Sequence, residues 1–146
     1  MILKHEHSAG GIVYHLKNGV PLWLITQHSS HKGWGFPKGL IGDTIRNEPI
    51  EEAALREVRE EGGIRARIIV PNPVETKYTY RFGDYLIKKD VRYFLMEYID
   101  GDPADHDAEV AAARFAAEED VMATLTYADD KRAFERMLSI YRTISR

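Results

Sequence analysis

Along this chain the spacing of apolar and polar positions changes period several times, and each change marks an element. Residues 8–14 (SAGGIVY) read as a strand, with Gly10 and Gly11 allowing another backbone to approach closely. Asn18-Gly19 is a turn signal, and residues 21–26 (PLWLIT) read as a second strand paired with the first. Residues 27–42, rich in Ser, His, Gly and Lys, read as a loop. Residues 48–61 contain no glycine, their only proline stands in the first turn, and Gly62-Gly63 closes the run, which predicts a helix. Strand patterns return at 65–70, and those at 74–82 and 88–99 form a hairpin around Gly83-Asp84. A short strand is predicted at 110–115 and a short helix at 118–125. Between 128 and 144, Phe134, Met137, Leu138, Tyr141 and Ile144 recur at helical spacing. Strands and helices mix without a visible linker, so the expectation is a single α/β domain over residues 1–146 with helices covering a mixed sheet.

Composition narrows the function classes. A chain of 146 residues suits one core, and no apolar run approaches the roughly 18 residues that a bilayer span needs. The first residues lack the apolar core of a secretory signal, and the absence of cysteine rules out disulfides and thiolate chemistry. A cytoplasmic setting without membrane attachment is expected. The net charge of −3 argues against a nucleic-acid polymer as partner, though not against a small anionic ligand. The acids are unevenly spread, with six glutamates against two arginines between 48 and 61.

On a helical wheel, Glu57, Glu60 and Glu61 share an arc of about 100°. Ile50, Ala54 and Val58 fall on or beside the same arc, whereas Glu52 and Arg59 point the other way. Three carboxylates are therefore aimed at the protein rather than at water. Such a group repels itself and resists burial unless protonated or filled by a cation. A hard divalent ion with oxygen ligands, Mg²⁺ above all, is the simpler remedy. Arg56, four residues before Glu60, is placed to brace that carboxylate.

The stretch from 42 to 64 resembles the Nudix box: Gly, five residues, Glu, seven residues, then Arg-Glu-apolar-any-Glu-Glu-any-Gly-apolar. Gly42, Glu48, Arg56, Glu57, Val58, Glu60, Glu61, Gly63 and Ile64 satisfy it, nine positions over 23 residues. The segment WGFPKG (34–39) also resembles the family's lead-in, which would make Gly39 the box glycine with three residues inserted after it. Both assignments are open on the sequence, and the insertion is favoured. Outside the box, SAGGIVY, RYFLMEY and the segment from Ala113 to Leu138 resemble other family elements.

The resemblance implies an α/β/α sandwich with a mixed sheet, the box forming a loop-helix-loop. It implies that Glu57, Glu60 and Glu61 ligate Mg²⁺, with Mn²⁺ as a substitute, that the carbonyl of Gly39 can join them, and that Arg56 orients a glutamate. Lys38 is expected on a substrate phosphate, and Glu109 is the expected base outside the box. Lys77 and Tyr80, within a run of alternating cations and aromatics, are candidate substrate contacts. His5 and His7, and His28 and His31, fit ordinary surface strand and loop positions better than ligand sites. The implied reaction is Mg²⁺-dependent cleavage of a phosphoanhydride in a nucleoside diphosphate derivative. The favoured substrate is a dinucleoside polyphosphate such as diadenosine tetraphosphate, because WGFPKG and Leu125-Thr126-Tyr127 resemble that branch. A nucleoside triphosphate pyrophosphohydrolase is the alternative, ahead of a non-catalytic nucleotide sensor. A monomer and a homodimer are both compatible with the sequence.

Overall fold

In the computed structural model the first strand, β1 (Ile2–Lys17), extends six residues upstream of the segment predicted at 8–14. Residues 2–7 (ILKHEH) are nearly all exposed, so no buried face imprinted an alternating pattern on them. They become a strand because they run parallel to β7 (Tyr85–Gly101), from Ile2 opposite Tyr85 to Tyr14 opposite Glu97. The structure describes residues 1–42 and 45–145. Asp43 and Thr44, in the spacer of the box, and Arg146 lie outside the described residues.

The remaining elements are β2 (Val20–His28), β3 (Trp34–Gly35), β4 (Lys38–Leu40), α1 (Ile50–Gly62), β5 (Ile64–Ile68), β6 (Val74–Phe82), β8 (Val110–Ala116), α2 (Glu118–Thr124) and α3 (Ala128–Ile144). Together the strands form one eight-stranded sheet, with β3, β2, β1, β7 and β5 in that order. β4 adds to β1, β6 to β7 and β8 to β2. The β1–β7 pair is parallel and the others are antiparallel, so the sheet is mixed, as expected. Among the described residues no helix is long and apolar enough to cross a membrane.

The loop expected over 27–42 is a correction: it carries β3 and β4. Each is too short for a period of two to show, and partner edges create both. β4 lies against β1, with Ser8 opposite Leu40 and Gly10 opposite Lys38. Gly10 is needed there, because a Cβ would stand 2.1 Å from the carbonyl oxygen of Pro37.

Alternation along β1 feeds two cores, one on each face. Ala9 and Val13 join Leu24, Phe94 and Met96 beneath Ala53, Ala54 and Val58 of α1. Ile12 and Tyr14 join Trp23, Tyr93 and Leu95 beneath Phe134, Met137 and Leu138 of α3. Helices therefore cover both faces, giving the α/β/α sandwich. Pro49 precedes α1 as its N-cap, and Gly63 ends it at φ 72° with its N–H on the carbonyl of Arg59.

Candidate active site

Helix α1 is pinned to the sheet by its alanines and Val58, which drives the neighbouring polar positions inward as well. Arg56 and Glu57 are buried, Glu60 and Glu61 are half-buried, and Glu52 and Arg59 are exposed. Arg56 is the hub. Its Nε and Nη2 donate to the two oxygens of Glu48 at 2.8 and 2.9 Å. Its Nη1 donates to Glu57 at 2.8 Å and to Glu60 at 3.1 Å. The brace on Glu60 expected from the sequence is present, but the bidentate partner is Glu48. That pair is almost dry, with side chains 7% and 1% exposed. The Arg56 hydrogen bonds hold the Glu48 carboxyl below its ordinary range.

Gly39 and Gly42 divide the work that the sequence left open between them. Gly39 faces Glu57 so closely that a Cβ would lie 2.2–2.3 Å from the carboxylate atoms. Gly42 turns the chain at φ 78° and supplies a backbone hydrogen bond to Glu48. Glu61 closes the group by accepting the N–H of Lys38 at 3.1 Å. Burial pushes its carboxyl up to about 8, with the charges of Glu57 and Asp107 adding to the effect.

Among the described residues no three acidic or imidazole side chains converge into a ready-made metal cage. Arg56 draws Glu57 and Glu60 onto one nitrogen, and Glu61 bonds to the β4 backbone. The donor set nonetheless fits a hard cation. All its ligands are oxygens, Glu61 is an ionisable group disfavoured as an anion without a counter-charge, and the lack of a side chain at Gly39 makes the cradle for Glu57.

Lys38 directs its side chain to the opposite face of the sheet, the face of α3, as its pairing with Gly10 requires. On that face Glu6, Tyr78 and Lys89 are cross-strand neighbours, and the hydroxyl of Tyr80 donates to Glu6 at 2.8 Å. Lys89 is half-buried. Burial and the charge of Lys38 lower its pKa, against the pull of Glu6 and Glu61. On the same face, Tyr93 donates to Asp130 of α3 at 3.2 Å. Burial raises the pKa of Asp130, against Lys38 and Tyr93.

The two substrate candidates on β6 are separated. Lys77 and Tyr80 are three residues apart on a strand and so lie on opposite faces. Tyr80 lies beside Tyr78 on the α3 side, ring centroids 6.1 Å apart and the planes tilted by 33°. Lys77 is exposed on the α1 side and pairs with Glu75 at 3.3 Å. Glu109 is exposed, and its carbonyl accepts the N–H of Ser29. Two residues earlier, Asp107 binds the carbonyl of Glu60 through its N–H, and its charge acts on Glu61. Glu48, Asp107 and Asp130 received no role from the sequence, whereas Lys89 stood in the run of alternating cations and aromatics considered for substrate contact. For Glu48 the signal was its place in the box; for Lys89, the alternation that puts it level with Tyr78 and Tyr80.

Residues 4–137 match the NUDIX domain family. A protein named MutT4 from Mycobacterium tuberculosis is 31% identical over 137 residues, covering 90% of this chain and 54% of that protein. The chain thus spans about half the length of that curated relative. A crystal structure of a C. elegans Ap4A hydrolase binary complex superposes with a TM-score of 0.72 at 24% identity, covering 92% of this chain and 98% of the other. The NUDIX domain of Shewanella oneidensis NrtR, complexed with ADP ribose, gives 0.68 at 18% identity, covering 94% and 88%. At these identities the likeness to the solved structures is one of fold.

Proposed function

Since the chain belongs to the NUDIX domain family, we propose that it is a Mg²⁺-dependent hydrolase that cleaves a phosphoanhydride bond in a nucleoside diphosphate derivative. The favoured substrate is a dinucleoside polyphosphate such as diadenosine tetraphosphate. The observation that carries the reading is the placement of β4. Its one face presents Gly39 to the Glu57 carboxylate of α1, and its other puts Lys38 on the side of the sheet that carries Lys89 and Tyr78.

Divalent cations are general to this family. When bound, such an ion supplies an activated water and neutralises charge on the departing phosphate. Glu57, Glu60 and Glu61 would hold it, with the Gly39 carbonyl at their edge. Arg56 fixes the rotamers of Glu57 and Glu60 from behind, as preorganisation demands. Lys38 and Lys89 oppose the charge of a polyphosphate chain, and Tyr78 and Tyr80 offer faces to a base. The proton of the attacking water goes to a carboxylate. Glu109 was the sequence candidate, and the charge of Asp107, which acts on Glu61, supports Asp107 in its place.

The deciding experiment is product identification, with Mg²⁺, across diadenosine polyphosphates, nucleoside triphosphates and inositol pyrophosphates. Turnover of a dinucleoside polyphosphate in preference to triphosphates is the expected result. The reverse preference would move the assignment to a triphosphate pyrophosphohydrolase, and no turnover of any compound would leave a nucleotide sensor.

Gly39→Ala gives a second check on the site. The added methyl overlaps the Glu57 carboxylate, which must swing away. A displacement of that size is expected to lower kcat on the order of 10²-fold. Because the obstructing atoms end a side chain, the melting temperature should change little. Activity within twofold of wild type would remove Gly39 and Glu57 from the reacting centre.

A further inference from the structure

Strand β6 ends the sheet on one side. Among the described residues it pairs with β7 alone, from Val74 opposite Tyr93 to Phe82 opposite Tyr85, without a bulge. Phe82 and Tyr85 flank the two-residue turn Gly83-Asp84, so that pair exchanges its hydrogen bonds, as does every second pair back to Val74. The N–H and C=O groups of residues 75, 77, 79 and 81 therefore point away from the sheet. The carbonyl of Glu75 shows this directly, because it accepts Nη1 of Arg136 from α3 at 3.3 Å. An open edge is ordinarily shortened, bulged or broken by proline. This one runs nine residues, VETKYTYRF, with none of those devices. It also carries exposed aromatics, Phe82 at 72% and Tyr80 at 37%. Its remaining guards are the charges of Glu75, Lys77 and Arg81, and their order admits one partner.

We propose that β6 is the interface of a homodimer, in which it pairs antiparallel with β6 of a second copy about a two-fold axis at Tyr78. In that register Glu75 stands opposite the partner's Arg81, Lys77 stands opposite the partner's Thr79, and all nine residues overlap. The outward groups of one strand must face those of the other, so the axis can move only in whole residues. At residue 77 it sets Lys77 against the partner's Lys77. At residue 79 it sets Lys77 against the partner's Arg81, twice over. Like charges directly opposite destabilise a ladder, so both slips are disfavoured. On the α3 face Val74 meets the partner's Phe82, and Thr76 meets the partner's Tyr80. Val74 is buried and α3 reaches that end of the edge through Arg136, whereas the Phe82 end is bare. The bare end of each strand enters beside the helix of the other. Glu75 and the partner's Glu75 lie six residues apart along the ladder, roughly 20 Å. Two helices about 10 Å wide therefore clear one another.

Sedimentation equilibrium across micromolar concentrations, with deuterium exchange read amide by amide, tests this. Wild type is expected to reach twice the chain mass. The amides of residues 77, 79 and 81 should gain protection in step with the dimer, while those of 78 and 80 are protected throughout. Thr79→Pro removes an outward N–H that β7 does not use, so the fold is kept. Two hydrogen bonds are lost per dimer, and association should weaken roughly tenfold or more. Arg81→Glu sets a carboxylate against the partner's Glu75 and should weaken it as well. A chain that stays monomeric throughout overturns the proposal. So does a dimer that both variants leave intact, or one in which the amides of 77, 79 and 81 exchange freely, since either places the contact on another face. The exchange pattern of wild type decides the matter even if a variant fails to fold.

Discussion

Glu61→Gln is expected to cut turnover on the order of 10²- to 10³-fold while making the cation-free protein more stable at pH 8. The two effects have one origin. The Gln side chain keeps the length of Glu61, and its carbonyl can still accept the Lys38 N–H seen at 3.1 Å. What disappears is a half-buried charge close to Glu57 and Asp107. In the folded protein burial raises the Glu61 carboxyl from its ordinary 4.5 to about 8. Between those values the native state holds a proton that the unfolded chain has released. Stability from this group is therefore complete below 4.5, is lost as pH rises toward 8, and then levels off. The slope reaches at most about 1.4 kcal/mol per pH unit. Melts from pH 5 to 9 in chelator should show that decline in wild type and its absence in the variant. Adding Mg²⁺ should restore wild type at pH 8 and do little for the variant. Parallel pH profiles, or near-normal activity, would remove Glu61 from the cation site.

The signature of stability gained and function lost separates a functional acid from an incidental one, and it explains why α1 was legible. Its polar residues violate amphipathic patterning in a single direction, with Glu57, Glu60 and Glu61 on the arc of Ala54 and Val58. Such a violation can be read on one helix without knowing what it packs against. Glu48 could not be read that way, because Pro49 separates it from the helix and only the folded turn brings it to Arg56. Tyr93 and Asp130 were silent for a related reason. Tyr93 and Asp130 meet across 37 positions of sequence, and nothing local announces either partner. β4 was hidden because three residues are too few to display a period, so the face it offers to each side emerges only from its pairing with β1.

Lys77 and Tyr80 are a different case, because the needed signal was in plain view. A strand over 74–82 was recognised, and an odd spacing on a strand puts two side chains on opposite faces. The alternation of cations and aromatics is the trace of that parity: tyrosines 78 and 80 turn to the α3 side, and Lys77 turns away with Thr79.

Replacing Arg56 is expected to produce the largest loss of stability in the site, and to reverse how stability depends on pH. Arg56→Ala strands Glu48, whose side chain is 1% exposed, and removes a partner of Glu57 and Glu60. Breaking a buried pair from one side costs about 3–5 kcal/mol. In wild type the Arg56 bonds depress the Glu48 carboxyl, so its contribution is present above the unfolded pKa and is lost as pH falls through the folded one. Without Arg56, burial outweighs the one remaining opposing influence, the Gly42 backbone hydrogen bond, and raises that carboxyl instead. The variant then gains stability as pH falls toward the ordinary carboxylate range, where wild type begins to lose it. Arg56→Lys should lie between the two, since one ammonium cannot replace a fork whose three nitrogens reach three carboxylates. Urea titrations at pH 5 and pH 8 measure both the size and the sign. A loss below 1 kcal/mol, or the same pH trend in wild type and Arg56→Ala, would mean that the guanidinium does not organise these acids, and the preorganised cation site would have to be built from other residues.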